Sequence, residues 1–109
     1  MAYTYKVLAQ SAPSATTNTD IYTVGSGKQA IVSTITVANR SAVGVTYRIA
    51  IRPAGTTLAN QHYIAYDVTV SGSDTTALTL GVTLTATDVI TVYASTANLS
   101  FNIFGSEIS

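Results

Sequence analysis

AIVSTITVANRSAVGVTYRIAIRP, residues 30–53, is the stretch whose reading decides the fold. In its second half Val45, Tyr47, Ile49 and Ile51 alternate with Thr46, Arg48, Ala50 and Arg52. A period of two marks a β-strand with one face buried and the other wet. In the first half Ile31, Ile35 and Val37 share a phase from Ala30 to Ala38. Asn39-Arg40-Ser41 begins a break between the halves and Gly44 ends it. The stretch therefore reads as two long strands joined by a turn.

The same period extends outward in both directions. Tyr3 to Gln10 reads as an edge-like first strand, followed by a Ser-, Ala- and Thr-rich loop containing Pro13. Proline lacks an amide hydrogen and belongs in loops or at sheet edges. Asp20 to Val24 is a short second strand, and Gly25-Ser26-Gly27 is a turn. Beyond Pro53, residues 58–62 have no clear period and leave room for one helical turn. Tyr63 to Val70 is a fifth strand with Ile64, Tyr66, Val68 and Val70 on one face. Thr75 to Leu84 is a sixth, with Leu78, Leu80, Val82 and Leu84 in phase and Gly81 marking a bulge or a close backbone approach. Ile90, Val92 and Ala94 set the phase of a seventh strand, and Leu99, Phe101 and Ile103 that of an eighth. The fold class expected is all-β: a two-sheet β-sandwich of about eight strands, jelly-roll or immunoglobulin-like, in a single domain over residues 1–109. The Cys pair and the Trp of immunoglobulin domains are missing.

Composition limits the function classes. Charged residues make up 9% of the chain, against about a quarter in typical domains. Hydrophobic residues at 47% exclude the composition of disorder. A surface so poor in charge is weakly protected against self-association. Five basic and five acidic residues give no positive field for nucleic acid or an anionic membrane. After Met1 to Lys6 the apolar run is only Val7-Leu8-Ala9, too short for the core of a signal peptide. No stretch approaches the roughly 20 apolar residues of a membrane helix.

Catalytic and metal chemistry find little support. His62 is the only histidine, so a zinc site would need one copy from each chain around an oligomer axis; the simpler reading is a loop residue bonded to its neighbours. Gly25-Ser26-Gly27-Lys28 lacks the spacing of a phosphate loop and precedes a strand. Asp20, Asp67, Asp74 and Asp88 lie too far apart for a calcium loop; Asp74 and Asp88 suit turns whose side chains bond local amides. No cofactor or metal is expected. A further alternative is a carbohydrate-binding module for host attachment; for its platform Tyr63 and Tyr66 stand in opposite phase, which leaves Tyr22 and Tyr93 as candidates. Arg48 and Arg52 occupy the polar face of the central strand and Arg40 the turn before it. They form either a solvated polar face or a protein contact surface, since Arg is enriched in interfaces. With Tyr3 and Tyr5 on the edge strand, these arginines are the interface candidates.

Several segments carry a resemblance: Val7 to Pro13, Asp20 to Val24, Val37 to Arg40, Thr87 to Ala94, and Leu99 to Gly105. Together they resemble a group of small structural proteins of tailed bacteriophages, notably of marine and cyanobacterial hosts. The resemblance spans nearly the whole chain and includes no catalytic motif. It implies a non-enzymatic virion component assembled in the host cytoplasm: a capsid decoration or cement protein, or else a tail, neck or fibre part. The implied partners are further copies of the chain, with a trimer among the arrangements, and the major capsid or other virion proteins.

Overall fold

The computed structural model describes residues 2–109, and they form nine strands with two single turns of 3₁₀ helix. The strands are β1 (Tyr3–Ser11), β2 (Thr19–Thr23), β3 (Gln29–Asn39), β4 (Val45–Arg52), β5 (Tyr63–Val70), β6 (Thr75–Leu78), β7 (Val82–Thr85), β8 (Val89–Ala94) and β9 (Leu99–Ile108). One sheet runs β1-β9-β3, with β6 and β7 one after the other along the far side of β3. The second runs β2-β8-β4-β5. Every pairing is antiparallel.

The pairing order has a simple origin. β1 pairs β9, β2 pairs β8, β3 pairs β6 and β7, and β4 pairs β5. The chain is thus one long antiparallel ribbon folded at the β4–β5 connection. Rolled up, the ribbon drops alternate strand pairs into opposite sheets. That is the jelly roll, and the alternative immunoglobulin order is excluded by it. Eight expected strands become nine because the sixth is interrupted at Gly81 (φ +63°), where Leu80 turns out to solvent.

The core lies between the sheets. Val45, Tyr47 and Ile49 of β4, Ile90, Val92 and Ala94 of β8, and Leu99, Phe101 and Ile103 of β9 are buried in the phases read from sequence. Tyr47 meets Phe101 edge to face across the sandwich, ring centroids 6.2 Å apart. At about 25 cal/mol per Å² such apolar burial is the main driving term of folding.

Two further phases differ from expectation, because of one extra residue in β3 and two in β5. In β3 the register against β9 shifts between Val32 and Thr34. Ser33 is the extra residue, so Ala30 and Val32 point inward while Ile31 points out. In β5 the register against β4 shifts twice, between Tyr63 and Ala65 and again between Ala65 and Val68. Ile64 and Tyr66 consequently lie on the outer face, and among the four residues expected on one face only Val70 is buried. A bulge re-aims every side chain beyond it.

Backbone staples close the ends. Buried Asn39 donates from Nδ2 to the carbonyls of Val43 (2.7 Å) and Val70 (3.1 Å) and accepts from the Ser41 amide (2.9 Å), joining the β3–β4 and β5–β6 loops. The loops touch so closely there that a side chain on Gly72 would strike the Ala42 carbonyl. Asp88 accepts from the amides of Ala54 (2.8 Å) and Thr85 (2.9 Å), and Asp74 from the amide of Thr75 (2.8 Å), as expected of turn aspartates.

Candidate functional site

Strand β4 presents Arg48 and Arg52 on the outer face of the second sheet. Neither is a free charge. Arg52 donates from Nε to Thr91 Oγ1 (3.0 Å), from Nη2 to Asp20 Oδ2 (2.8 Å), and from Nη1 to the carbonyls of Gly55 (3.2 Å) and Thr56 (3.0 Å). Thr91 in turn donates to Asp20 Oδ1 (2.7 Å), so one guanidinium ties β2, β4, β8 and the turn after β4 together. Arg48 lies between two rings, 4.3 Å from the centroid of Tyr66 and 4.4 Å from that of Tyr93, with its Nε on Asp67 Oδ1 (2.7 Å). The bond to Asp67 holds the guanidinium more basic than usual, against partial desolvation. Asp67 reaches Arg48 from a left-handed backbone conformation (φ +51°) in the irregular part of β5. Arg40 donates from Nη2 to the Ala97 carbonyl (2.7 Å). All three arginines named from sequence therefore have intramolecular partners.

The tyrosines are placed differently from expectation. Tyr63 and Tyr66 touch edge to face, centroids 4.9 Å apart, because the extra residues in β5 bring both onto the outer face. With Asn60 they line a shallow depression. Tyr22 and Tyr93, the candidates for a sugar platform, point to opposite sides of their sheet. Tyr22 pairs with inward Ile90 and donates its hydroxyl to Glu107 Oε2 (2.7 Å), whereas Tyr93 faces outward under the Arg48 guanidinium. Burial, and then the bond to Glu107, push the Tyr22 phenol far above its ordinary pKa.

No group of three or more His, Cys, Asp and Glu side chains stands close enough to hold a metal ion among the described residues. His62 ends the 3₁₀ turn and accepts the Ala59 amide on Nδ1 (3.1 Å). Gly25 to Lys28 is a turn closed by the Lys28 amide on the Gly25 carbonyl (3.1 Å). Asp20 and Asp67, weighed as calcium ligands, serve as the counter-ions of Arg52 and Arg48.

The remaining candidates, Tyr3 and Tyr5, lie on β1 at the free edge of the first sheet. Ala2 and Ser109 exchange both backbone hydrogen bonds (2.9 and 3.0 Å). Antiparallel pairs alternate between bonded and non-bonded, so Thr4 and Lys6 are the next bonded partners of β9. Tyr3, Tyr5 and Val7 then turn their N–H and C=O groups outward to the open edge. Their side chains are exposed as well, at 56%, 83% and 47%. Lys6 projects from the opposite face of β1, its side chain still 45% exposed, and its Nζ meets Glu107 Oε1 (2.8 Å). Lys6 and then Tyr22 hold the Glu107 carboxyl below its ordinary pKa. This latch ties β1 and β9 of one sheet to β2 of the other.

No family model, curated protein or solved structure matches the chain.

Beside Tyr5 the outer face continues across Ser106 of β9 to exposed Ile31 of β3, and beside Val7 to Phe104. Val7, Ile31 and Phe104 extend the surface beyond the residues named from sequence. Val7 could have been found from the Tyr3-Tyr5-Val7 alternation. Ile31 could not, because its phase depends on the bulge at Ser33.

Proposed function

We propose that the chain is a non-enzymatic structural protein of a tailed-bacteriophage particle, a capsid decoration or cement protein that works through repeated protein–protein contacts. The observation that carries the assembly role is the half of β1 from Tyr3 to Val7. It combines outward main-chain donors and acceptors with exposed aromatic and aliphatic side chains at a sheet edge. Long uncharged edges are liabilities in free proteins and docking sites in assembled ones. The segments resembling small phage structural proteins support the particle assignment. The jelly roll agrees with it without selecting it, since capsid, lectin and cupin domains all use that architecture. In a symmetric shell each modest contact recurs many times, so weak individual interfaces suffice.

Quantifying the chain in purified particles tests the reading. Hundreds of copies that follow the head support decoration. A few to a few dozen copies that follow the tail select the tail, neck or fibre role instead, and absence from the particle overturns the proposal.

A further inference from the structure

We infer that β1 of one copy pairs antiparallel with β1 of a second copy about a two-fold axis at Tyr5, joining two first sheets into one. The inference shares with the proposed function only the premise that this edge is an assembly surface.

The free edge itself sets the register. Its regular part within β1 runs from Tyr3, the first residue of the strand, to Val7, after which the register against β9 shifts. Tyr5 is the midpoint of that interval. Centred there, Tyr5 faces its own copy and Tyr3 faces Val7. These three residues hold the outward N–H and C=O groups, so each donor meets an acceptor and none is left over. An isologous contact requires such self-complementarity.

Charge favours the same partner. A two-fold axis places like charges opposite each other when a charged residue lies on it or faces its own symmetry mate. Here Lys6 would face Thr4 of the second copy, and its ammonium is already neutralised by Glu107 on the face opposite Tyr5. The outer face of the junction would carry Tyr5 beside Tyr5, flanked by Tyr3 and Val7 pairs. Aromatic and β-branched cross-strand pairs of this kind stabilise antiparallel sheets. The exposed parts of these three side chains amount to roughly 350 Å² per copy. Edge pairing covers only the facing flanks of these side chains and the outward backbone groups, so the two-copy total stays below roughly 1,000 Å², the size of a weak, reversible contact.

The purified chain tests this directly. Sedimentation equilibrium should show a dimer that dissociates on dilution. Tyr5→Lys and Tyr5→Glu should each weaken it by on the order of 30-fold or more, the loss expected at the centre of an interface. Mixing the two variants in equal amounts should restore dimers, because opposite charges then meet on the axis. Tyr5 is 83% exposed, so both variants should keep the wild-type thermal midpoint, which confirms that they fold. The chain has no cysteine. Tyr5→Cys should therefore oxidise cleanly to a linked dimer, since Cα atoms of a bonded antiparallel pair lie about 5.5 Å apart, within disulfide range. Val43→Cys, exposed elsewhere, should form no disulfide-linked dimer.

A wild-type chain that stays monomeric at several hundred micromolar, or a dimer or trimer unmoved by Tyr5→Lys, overturns the pairing. Either result leaves the particle assignment standing if the chain is found on heads. A β1-paired dimer missing from particles does the reverse.

Discussion

Removing the hydroxyl of Tyr47 should stabilise the protein. Tyr47 is fully buried in β4, and its Oη has no hydrogen-bond partner among the described residues. A buried hydroxyl without a partner costs about 1–3 kcal/mol relative to water. Tyr47→Phe keeps the ring and its edge-to-face contact with Phe101. It forfeits only the dispersion contacts of one oxygen, at about 0.1–0.2 kcal/mol for each atom pair, or roughly 0.5 kcal/mol together. The balance is a gain of about 1 kcal/mol, or about 4 °C in thermal midpoint for a domain of this size. Urea unfolding followed by far-ultraviolet circular dichroism measures it, with an unchanged slope required if the compactness of both states is preserved. The same hydroxyl offers a second readout, because burial raises its pKa. Tyr47→Phe should remove a phenol that ionises late in an alkaline absorbance titration. A loss of stability beyond about 0.5 kcal/mol would refute the reasoning, since it would mean that the hydroxyl is bonded in solution.

Ile49→Ala should cost about 2–5 kcal/mol in the same unfolding assay, the range for a large-to-small change in a closed core. A loss under about 1 kcal/mol would mean that β4 does not hold its phase. Gly105→Ala should destabilise by about 1–3 kcal/mol or more, because the new methyl would strike the Ile31 carbonyl in the middle of a paired sheet; a neutral result would place β3 and β9 farther apart. Glu107 has a folded pKa below its unfolded value, so its stabilisation is full above the ordinary carboxylate range and disappears as pH falls through the folded pKa. Urea midpoints measured from pH 7 downward should therefore fall less steeply for Glu107→Gln than for wild type; parallel curves would show that the latch with Lys6 and Tyr22 carries no linkage.

Alternation was legible wherever a strand runs without interruption. β4, β8 and β9 bury Val45, Tyr47, Ile49, Ile90, Val92, Leu99, Phe101 and Ile103 as their sequence period requires. The period misleads at Ile31, at Ile64 and Tyr66, and at Leu80. Each of these lies beside an extra residue or a break, at Ser33, Ala65 to Asp67, or Gly81. A bulge changes which face a side chain takes without leaving a required residue type behind. Strand order was not legible either, because it is set by pairings such as Tyr3 with Ile108 that span the whole chain. The arginines were recognised but their partners were not. Asp67 and Asp20 are 19 and 32 residues away from the guanidinium each one holds. With that pairing known, the Arg48–Arg52 face reads as a clamp across the second sheet. Arg48→Glu would set a second carboxylate beside Asp67 and should lower the thermal midpoint.

The rolled ribbon leaves its sheets with four edges, and their differences point to the same strand. β2 is five residues long and irregular between Asp20 and Tyr22. β5 is broken by two register shifts and carries Asp67 at the second. β6 and β7 are four residues each and separated at Gly81. Shortness, bulges and charge are the devices by which sheets refuse further strands. β1 has nine residues, and its bulge at Leu8 guards only the second half. In the first half the one charged residue, Lys6, projects from the face opposite Tyr3, Tyr5 and Val7 and is paired with Glu107. The edge is therefore unguarded just where Tyr3, Tyr5 and Val7 expose both backbone and side chain. A free monomer gains nothing from leaving such an edge open, whereas a protein that is covered there in its working state has no need to close it.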